Sequence, residues 1–190
     1  IVSDKNKNMM KLKTKYLINC AGLYAQKVSH TIKYIKSSSI PKLYMAKGNY
    51  CTLKGKAPFS HLIYPIPSNA GLGIHVTVDM AGAVRFGPDV DWVEEVSYDL
   101  DTNIDKKFYS AIRAYWPDLE DDSLIPGYSG IRPKIVNKDS LPGDFIISCP
   151  NDHNIPGYIA MYGIESPGLT SSLPIAEYIC KILLGLSSSS

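Results

Sequence analysis

The first apolar segments of the chain predict a strand, a turn and a helix. Residues 16–20 form a short apolar run without alternation, which is typical of a strand buried on both faces. Ala21 and Gly22 then turn the chain. A helix is expected over residues 23–35, because apolar side chains recur there at helical spacing. This order of elements predicts one edge of a doubly wound α/β sheet.

The pattern changes near residue 41 to short strands separated by Gly, Pro and Asn, which indicates an antiparallel meander. An amphipathic helix is predicted over residues 102–115, where Pro117 stops it. The predicted strands cover residues 43–53, 61–66, 72–78, 83–86, 127–131, 144–149 and 157–161. We therefore expect an antiparallel sheet with flanking helices in the middle of the chain.

A turn rich in Gly, Ser and Pro feeds a final helix that extends to about Leu184. Proline is tolerated only in the first helical turn, so Pro174 predicts a start at Ser171 or Ser172. Small residues at a helix start leave backbone N–H groups that favour an anion, although simple capping by one Ser or Thr explains the same residues. Two apolar faces predict a buried helix: Leu169, Leu173, Ala176, Cys180 and Leu183 on one, Ile175, Ile179 and Ile182 on the other.

Composition excludes several classes of function. A chain of 190 residues suits one domain or slightly more, and its 45% hydrophobic and 20% charged content is ordinary for a globular protein. The net charge is +2 with dispersed basic residues, which argues against nucleic-acid binding. No apolar run approaches the roughly 20 residues of a membrane span. The four cysteines and four histidines lack the spacing of paired ligands, so no metal site is expected.

Residues 71–79 carry the clearest strand alternation. It puts aliphatic side chains on one face and His75, Thr77 and Asp79 on the other. A histidine in a cavity can act as a general base, because its unperturbed pKa lies near working pH. The alternative is a half-exposed strand in which His75 only pairs with a neighbour.

Three cations and one aromatic side chain are further candidates. Arg132 ends a predicted strand, and its fork fits a carboxylate bidentately. Lys47 and Arg85 stand beside glycines, which permit close backbone approach. Tyr64 is expected either to wall a small pocket or to fill the core. No Gly-x-Gly-x-x-Gly phosphate loop follows a strand in this sequence.

Residues 19–25, with Asn19, Ala21 and Gly22, resemble the Asn-x-Ala-Gly turn of FAD-dependent oxidoreductases of the D-amino-acid oxidase and glycine oxidase superfamily. Seven further segments are similar to the L-2-hydroxyglutarate dehydrogenase-like branch. They are residues 46–50, 63–67, 73–79, 86–89, 115–119, 127–134 and 163–179. The resemblance covers nearly all of residues 16–184.

The resemblance implies an α+β fold, an FAD cofactor and hydride transfer to flavin from a 2-hydroxy acid, with L-2-hydroxyglutarate as the expected substrate. It also implies that the chain is a C-terminal half, whose partner is the N-terminal FAD-binding half of the same protein. Residues 1–40 and 163–186 would be the last strand and closing helix of the Rossmann-like domain. Residues 41–162 would be the substrate-binding sheet, and residues 187–190 a tail.

The resemblance also assigns roles to single residues. His75 would take the hydroxyl proton, while Arg132, with Lys47 or Arg85, would hold two carboxylates beside Tyr64. The N–H groups at the closing helix would face the flavin edge at which negative charge collects on reduction. The positions expected to contact FAD are Ala21, Gly22, Arg132, Gly168, Leu169, Thr170 and Ser171.

Two other functions stay open. This chain alone is either an inactive fragment or a subunit that needs a partner carrying the dinucleotide-binding half. A D-amino-acid oxidase-type enzyme acting on an amine is the second alternative. By resemblance, the location would be mitochondrial in a eukaryote and cytoplasmic in a bacterium.

Overall fold

The computed structural model describes residues 2–3, 6, 9–66, 73–100 and 104–185. The chain divides into two units: a terminal unit of Ile1–Leu43 with Leu141–Ser190, and a central unit of Tyr44–Ser140. The predicted tail at 187–190, residue 72 of the third predicted strand and residues 102–103 of the predicted helix lie outside the described residues.

The chain contains ten strands and four α-helices within the described residues. The strands are β1 (Val2–Ser3), β2 (Met9–Met10), β3 (Leu17–Asn19), β4 (Tyr44–Leu53), β5 (His75–Val78), β6 (Val84–Gly87), β7 (Asp91–Val93), β8 (Leu124–Lys134), β9 (Ile146–Ser148) and β10 (Tyr158–Tyr162). The helices are α1 (Ala25–Ser29), α2 (Ile104–Arg113), α3 (Pro150–His153) and α4 (Ser172–Leu184).

The terminal unit is built on a three-stranded sheet in the order β3-β10-β9. The middle strand β10 is parallel to β3 and antiparallel to β9. β9 and β10 therefore belong with β3, and residues 141–162 lie in the terminal unit. The predicted boundary at 162/163 was wrong, because strand-like runs at the end of the chain do not reveal which sheet they join.

The helix predicted over residues 23–35 is much shorter in the structure. A 3-10 turn covers Gly22–Tyr24, and α1 ends at Ser29. Beyond it, most of residues 30–38 are exposed. A short helix depends on tertiary packing for its stability, and this packing is present for α1 but not for the residues after it.

The central unit is an antiparallel sheet with β4 in its middle. β8 pairs along one edge of β4, whereas β6 and β7 share the other edge, and β5 extends the sheet beyond β6. The helix α2 packs on one face over an apolar core. This core contains Cys51, Leu53, Ile74, Val76, Val84, Phe86, Phe108, Ile112, Leu119 and Leu124. The predicted antiparallel sheet with a flanking helix is thus present.

Several predicted strands differ in extent. β8 is longer than expected, because its prolines obscured the strand pattern in the sequence. Both prolines are tolerated since β8 pairs only with β4 among the described strands. The strand predicted over residues 61–66 is reduced to a single bridge between Ile63 and Val76.

The closing helix α4 starts at Ser172 with Pro174 in its first turn, which confirms the predicted start. Its predicted burial was wrong. Ile179 is the buried residue of the helix, whereas Leu173 is 75% exposed. Cys180 on α4 is exposed as well. No helix in the described parts of the chain has the length and apolar character needed to cross a membrane.

Candidate functional site

The central sheet has a polar face opposite its apolar core. In the β5–β6 pairing, Thr77 lies opposite Arg85, and Val76 lies opposite Phe86. Val76 and Phe86 are fully buried in the core, so His75, Thr77 and Arg85 project from the other face. The alternation predicted for this strand is therefore confirmed over residues 74–78.

Tyr64 lies against His75 on this polar face. The bridge between Ile63 and Val76 directs Ile63 towards the core and the next side chain to the opposite side. The rings of Tyr64 and His75 are 4.3 Å apart between centroids and tilted by 45°. The structure thus brings together two of the residues predicted from the sequence.

Arg85 is paired with a carboxylate. One oxygen of Asp79 accepts the backbone N–H groups of Ala81 and Ala83, each at 2.9 Å. The other oxygen lies 3.3 Å from the Arg85 guanidinium. Asp79 therefore fixes the β5–β6 turn and partly neutralises Arg85, in a pair whose members are both partly exposed.

Arg132 reaches the same face from β8. It lies opposite Ala46 on β4, and Tyr50 projects from that face four residues further along β4. The Arg132 guanidinium donates a hydrogen bond to the Tyr50 hydroxyl. Burial, and then the neighbouring Tyr128, raise the pKa of the Tyr50 phenol, while Arg132 acts in the opposite direction.

An aromatic pair links the two arginines of this face. The rings of Tyr50 and Tyr128 stack with centroids 4.5 Å apart and planes inclined by 13°. The guanidinium carbon of Arg85 lies 6.0 Å from the centroid of the Tyr128 ring. Neither tyrosine was identified from the sequence. The period-2 alternation of β4, which puts Tyr50 on the polar face, was the available signal.

Gly87 explains how the Tyr50 ring comes so close to the sheet. A Cβ at Gly87 would lie 2.7 Å from the Asn49 carbonyl oxygen and 2.7 Å from Tyr50 Cδ1. The glycine also has φ +141°, a backbone angle that residues with a side chain rarely adopt. The sequence predicted close backbone approach at a glycine beside Arg85. The structure shows that the Tyr50 ring and the Asn49 backbone are what approach it.

Lys47 does not belong to this group. It lies opposite Ile131, one position away from Arg132, so strand alternation directs it to the other face. Its ammonium group donates to the backbone carbonyl of Asp99. The prediction that Lys47 shares a site with Arg132 was wrong, because one position along a strand reverses the face.

In the terminal unit, a buried side-chain network holds the Asn-x-Ala-Gly turn. The Asn19 amide donates to the Ala25 carbonyl at 2.8 Å and to the Tyr158 hydroxyl at 3.0 Å. Its oxygen accepts the Ala21 N–H at 3.1 Å. The Ser29 hydroxyl shares a 2.7 Å hydrogen bond with Tyr158 as well. The network fixes the backbone at Ala21 between β3 and α1.

The turn before α4 leaves two backbone amides available. Gly168 donates to the Glu165 carbonyl, and Ser171 donates to the Pro167 carbonyl at 3.0 Å. The amides of Leu169 and Thr170 have no acceptor among the residues that the structure describes. Ser171 is the N-cap residue but makes no side-chain cap hydrogen bond. Side-chain capping by this serine is thus not the reason for the polar composition of the turn.

Gly168 is required by the turn itself. A Cβ there would lie 2.6 Å from both the Glu165 carbonyl oxygen and Ile164 Cγ2. Of the four predicted cofactor positions before α4, only Leu169 and Thr170 therefore offer an N–H group to a ligand. Two N–H groups at the start of a 13-residue helix fit an electron-rich carbonyl or ring nitrogen. They suit one polar edge of a flavin, whereas the sequence contains no glycine loop for a pyrophosphate.

Within the residues that the structure describes, no group of three His, Cys, Asp or Glu side chains is placed to hold a metal ion.

Residues 3–182 match the FAD-dependent oxidoreductase family of the D-amino-acid oxidase type. The chain belongs to this family. This membership confirms the family and the FAD cofactor that the sequence resemblance implied.

Known members of the family are similar in sequence and in fold. L-2-hydroxyglutarate dehydrogenase, mitochondrial, from Arabidopsis thaliana is 47% identical over 180 residues, which are 88% of this chain and 37% of the relative. Glycerol 3-phosphate dehydrogenase from Caloramator mitchellensis is 30% identical over 177 residues, covering 92% of this chain and 35% of that protein.

Among solved structures, the reduced, FAD-bound L-alpha-glycerophosphate oxidase from Mycoplasma pneumoniae aligns with a TM-score of 0.73. Its identity is 20%, and the alignment covers 89% of this chain and 42% of the oxidase. This likeness shows a mixed α/β fold of the family type. The chain spans only about a third of the length of the two sequence relatives, at 37% and 35%.

Proposed function

We propose that the chain is the C-terminal portion of an FAD-dependent dehydrogenase that oxidises a 2-hydroxy acid, with L-2-hydroxyglutarate as the substrate. The observation that carries the proposal is the position of His75 and Arg132 on one polar face of the central sheet. A base and a fixed cation on one surface are what the oxidation of an anionic alcohol requires. The 47% identity to the Arabidopsis dehydrogenase supports this choice of substrate.

Each residue of the polar face has a role in this reaction. Arg132 binds one carboxylate through its fork, and His75 takes the proton of the C2 hydroxyl. FAD supplies the hydride acceptor, so the alcohol loses a proton and a hydride and becomes a 2-oxo acid. Arg85 attracts the second carboxylate, although the ion pair with Asp79 partly neutralises its charge. The Tyr64 ring lies against His75 and restricts the orientation of the imidazole.

The two units divide the work in this proposal. The terminal unit is the remnant of the FAD-binding domain, in which the turn at Ala21 and Gly22 and the amides of Leu169 and Thr170 hold the cofactor. The central unit is the substrate-binding part. The support is the parallel pairing of β3 with β10 and the buried network at Asn19, both typical of a nucleotide-binding sheet edge.

The terminal unit also exposes an apolar surface on α4. Leu173, Ala176, Cys180 and Leu184 line it, and Leu173 and Leu184 are 75% and 68% exposed. An apolar surface of this kind indicates a covering partner. We propose the N-terminal FAD-binding half of the same protein as that partner, because the relatives are much longer than this chain. The location that the resemblance implies is mitochondrial in a eukaryote and cytoplasmic in a bacterium.

The test is the steady-state kinetics of the intact, FAD-loaded protein with L-2-hydroxyglutarate and a dye as electron acceptor. His75→Gln removes the base and is expected to lower kcat by about 10²–10⁴-fold. His61→Gln is the matched control, since His61 is an exposed histidine that shares a 2.8 Å hydrogen bond with Ser60. It is expected to leave kcat unchanged. Equal kcat values for the His75→Gln variant and the unmodified protein would remove His75 as the base.

A second candidate is the oxidation of glycerol 3-phosphate, which the 30% identical relative from Caloramator mitchellensis favours. Both substrates are secondary alcohols with an anionic group, so the same base and cation serve either one. A panel of L-2-hydroxyglutarate, glycerol 3-phosphate and D-amino acids separates the candidates and includes the amine-oxidase alternative. A preference for glycerol 3-phosphate by kcat/KM would replace the proposed substrate.

The remaining alternative concerns the 190-residue chain by itself. We expect it to bind FAD poorly, because its proposed cofactor contacts are limited to the ring side. Purified colourless chain that gains flavin absorbance only with the N-terminal half would support this division. Micromolar or tighter FAD binding by the chain alone would contradict it.

A further inference from the structure

The aromatic pair on the polar face of the central sheet has no role in the reaction so far. Resting on the proposed function, we propose that Tyr50 is a positioning residue that holds the Arg132 guanidinium in place for the substrate carboxylate. The hydrogen bond from Arg132 to the Tyr50 hydroxyl, together with the tight packing of the Tyr50 ring, supports this role.

The Tyr50 ring is held from two sides. On one side Tyr128 stacks on it at 4.5 Å. On the other side lies Gly87, which makes room for the ring because it has no side chain: a Cβ there would lie 2.7 Å from Tyr50 Cδ1. A backbone contact holds the next strand close as well, since a Cβ at Gly127 would lie 2.8 Å from the Tyr50 carbonyl oxygen. A ring fixed in this way presents its hydroxyl at a defined point.

A defined acceptor matters because an arginine side chain is long and rotamer-rich. Ordering such a side chain when a ligand binds costs about 0.5–1.5 kcal/mol of binding free energy. A guanidinium has five N–H donors in a fixed fork. One donor bonded to Tyr50 restricts the plane in which the group can meet a carboxylate.

The chemistry of the acceptor distinguishes Arg132 from Arg85. Burial raises the pKa of Tyr50, so its phenol stays neutral at physiological pH. A neutral acceptor orients Arg132 without cancelling its charge, whereas the carboxylate of Asp79 partly cancels the charge of Arg85. Tyr50 therefore contributes to the geometry of Arg132 rather than to its charge.

The experiment measures the dissociation constant of 2-oxoglutarate, together with KM and kcat for L-2-hydroxyglutarate, in the intact FAD-loaded protein. Tyr50→Phe removes only the hydroxyl and keeps the stacked ring. We expect Kd and KM to rise about 2–13-fold, which is that ordering cost of the arginine converted at about 1.4 kcal/mol per tenfold, with kcat within about twofold. Unchanged Kd and KM would overturn the proposal.

Tyr115→Phe is the matched control. Tyr115 is a partly buried tyrosine of the same unit, and its hydroxyl donates to the Ile74 carbonyl at 3.1 Å. That residue packs against the core, on the face away from Arg132. The control loses one tyrosine hydroxyl bond without touching the polar face, so its Kd and KM are expected to stay within about twofold. A rise in the control equal to that of Tyr50→Phe would show a general loss of stability and overturn the positioning role.

A double-mutant cycle with Arg132→Lys tests whether Tyr50 acts through Arg132. Lysine lacks the planar fork, so adding Tyr50→Phe to Arg132→Lys is expected to change Kd by less than about twofold. The same fold-change in both backgrounds would overturn the positioning role. If the protein binds 2-oxoglutarate but does not oxidise L-2-hydroxyglutarate, the proposed function fails and the Kd values alone decide the role of Tyr50. Absence of any 2-oxoglutarate binding would overturn both proposals.

Discussion

Asn19 is the residue on which the turn between β3 and α1 depends. It is 3% exposed, and its amide nitrogen has three acceptors within hydrogen-bond distance: Ala25 O, Ser29 Oγ and Tyr158 OH, at 2.8, 3.1 and 3.0 Å. Two amide hydrogens can serve two of these acceptors at once, and the amide oxygen accepts the Ala21 N–H. At about 1 kcal/mol net for each of these bonds, Asn19→Ala is expected to lower the free energy of unfolding of the terminal unit by about 3 kcal/mol.

Native-state hydrogen exchange of the β10 amides measures this loss, with the amides of β4 as a reference in the other unit. Thr31→Ala serves as a control, because the Thr31 hydroxyl makes one exposed hydrogen bond, to the Val28 carbonyl at 2.7 Å. Its effect should stay within about 0.5 kcal/mol. A loss below about 1 kcal/mol for Asn19→Ala, or one no larger than that of Thr31→Ala, would refute the view that the network holds the turn.

Three further predictions concern the central sheet and the start of α4. Gly87→Ala adds both φ strain and a steric contact, so it should lower the free energy of unfolding of the central unit by about 2–4 kcal/mol, measured with urea. Gly82 has φ +83° and open space around it, so the control Gly82→Ala should lower this free energy by only about 1–2 kcal/mol. Equal losses in the two variants would remove the contact with Tyr50 as a cause. Burial raises the pKa of the Asp89 carboxyl from its ordinary 3.8, so the folded state holds this proton more tightly than the unfolded chain does. The resulting stabilisation is fully present below pH 3.8 and is lost as the pH rises through the folded-state pKa. Asp89→Asn should remove this pH dependence from the free energy of urea unfolding. A difference in unfolding free energy between the unmodified protein and the variant that stays constant with pH would contradict the prediction. Thr170→Asp puts a carboxylate at the start of α4 and should lower the flavin reduction potential of the intact protein by about 10–20 mV, while an unchanged potential would mean that this helix end does not face the flavin.

Most of the polar face of the central sheet follows from the pattern of the sequence. Period-2 alternation alone puts His75 and Thr77 on the face opposite Val76, and the register between β5 and β6 then adds Arg85. The site predicted from the sequence wrongly included Lys47, because the periodic signal is weak around the glycine at position 48. The face on which a strand residue lies becomes definite only when the neighbouring strands are paired. The pairing of Ala46 with Arg132 supplies that information.

The sequence by itself determined the family, the antiparallel sheet of the central unit and the start of α4, because each depends on local pattern, turn chemistry or the rigid φ of Pro174. Only the tertiary structure decided that β9 and β10 join β3, that Tyr50 is wedged between Gly87 and Tyr128, and that α4 exposes its apolar side. These features depend on which residues far apart in the chain come into contact. An apolar stripe in the sequence shows that a surface is suited to burial, but only the arrangement of the other elements decides what covers it.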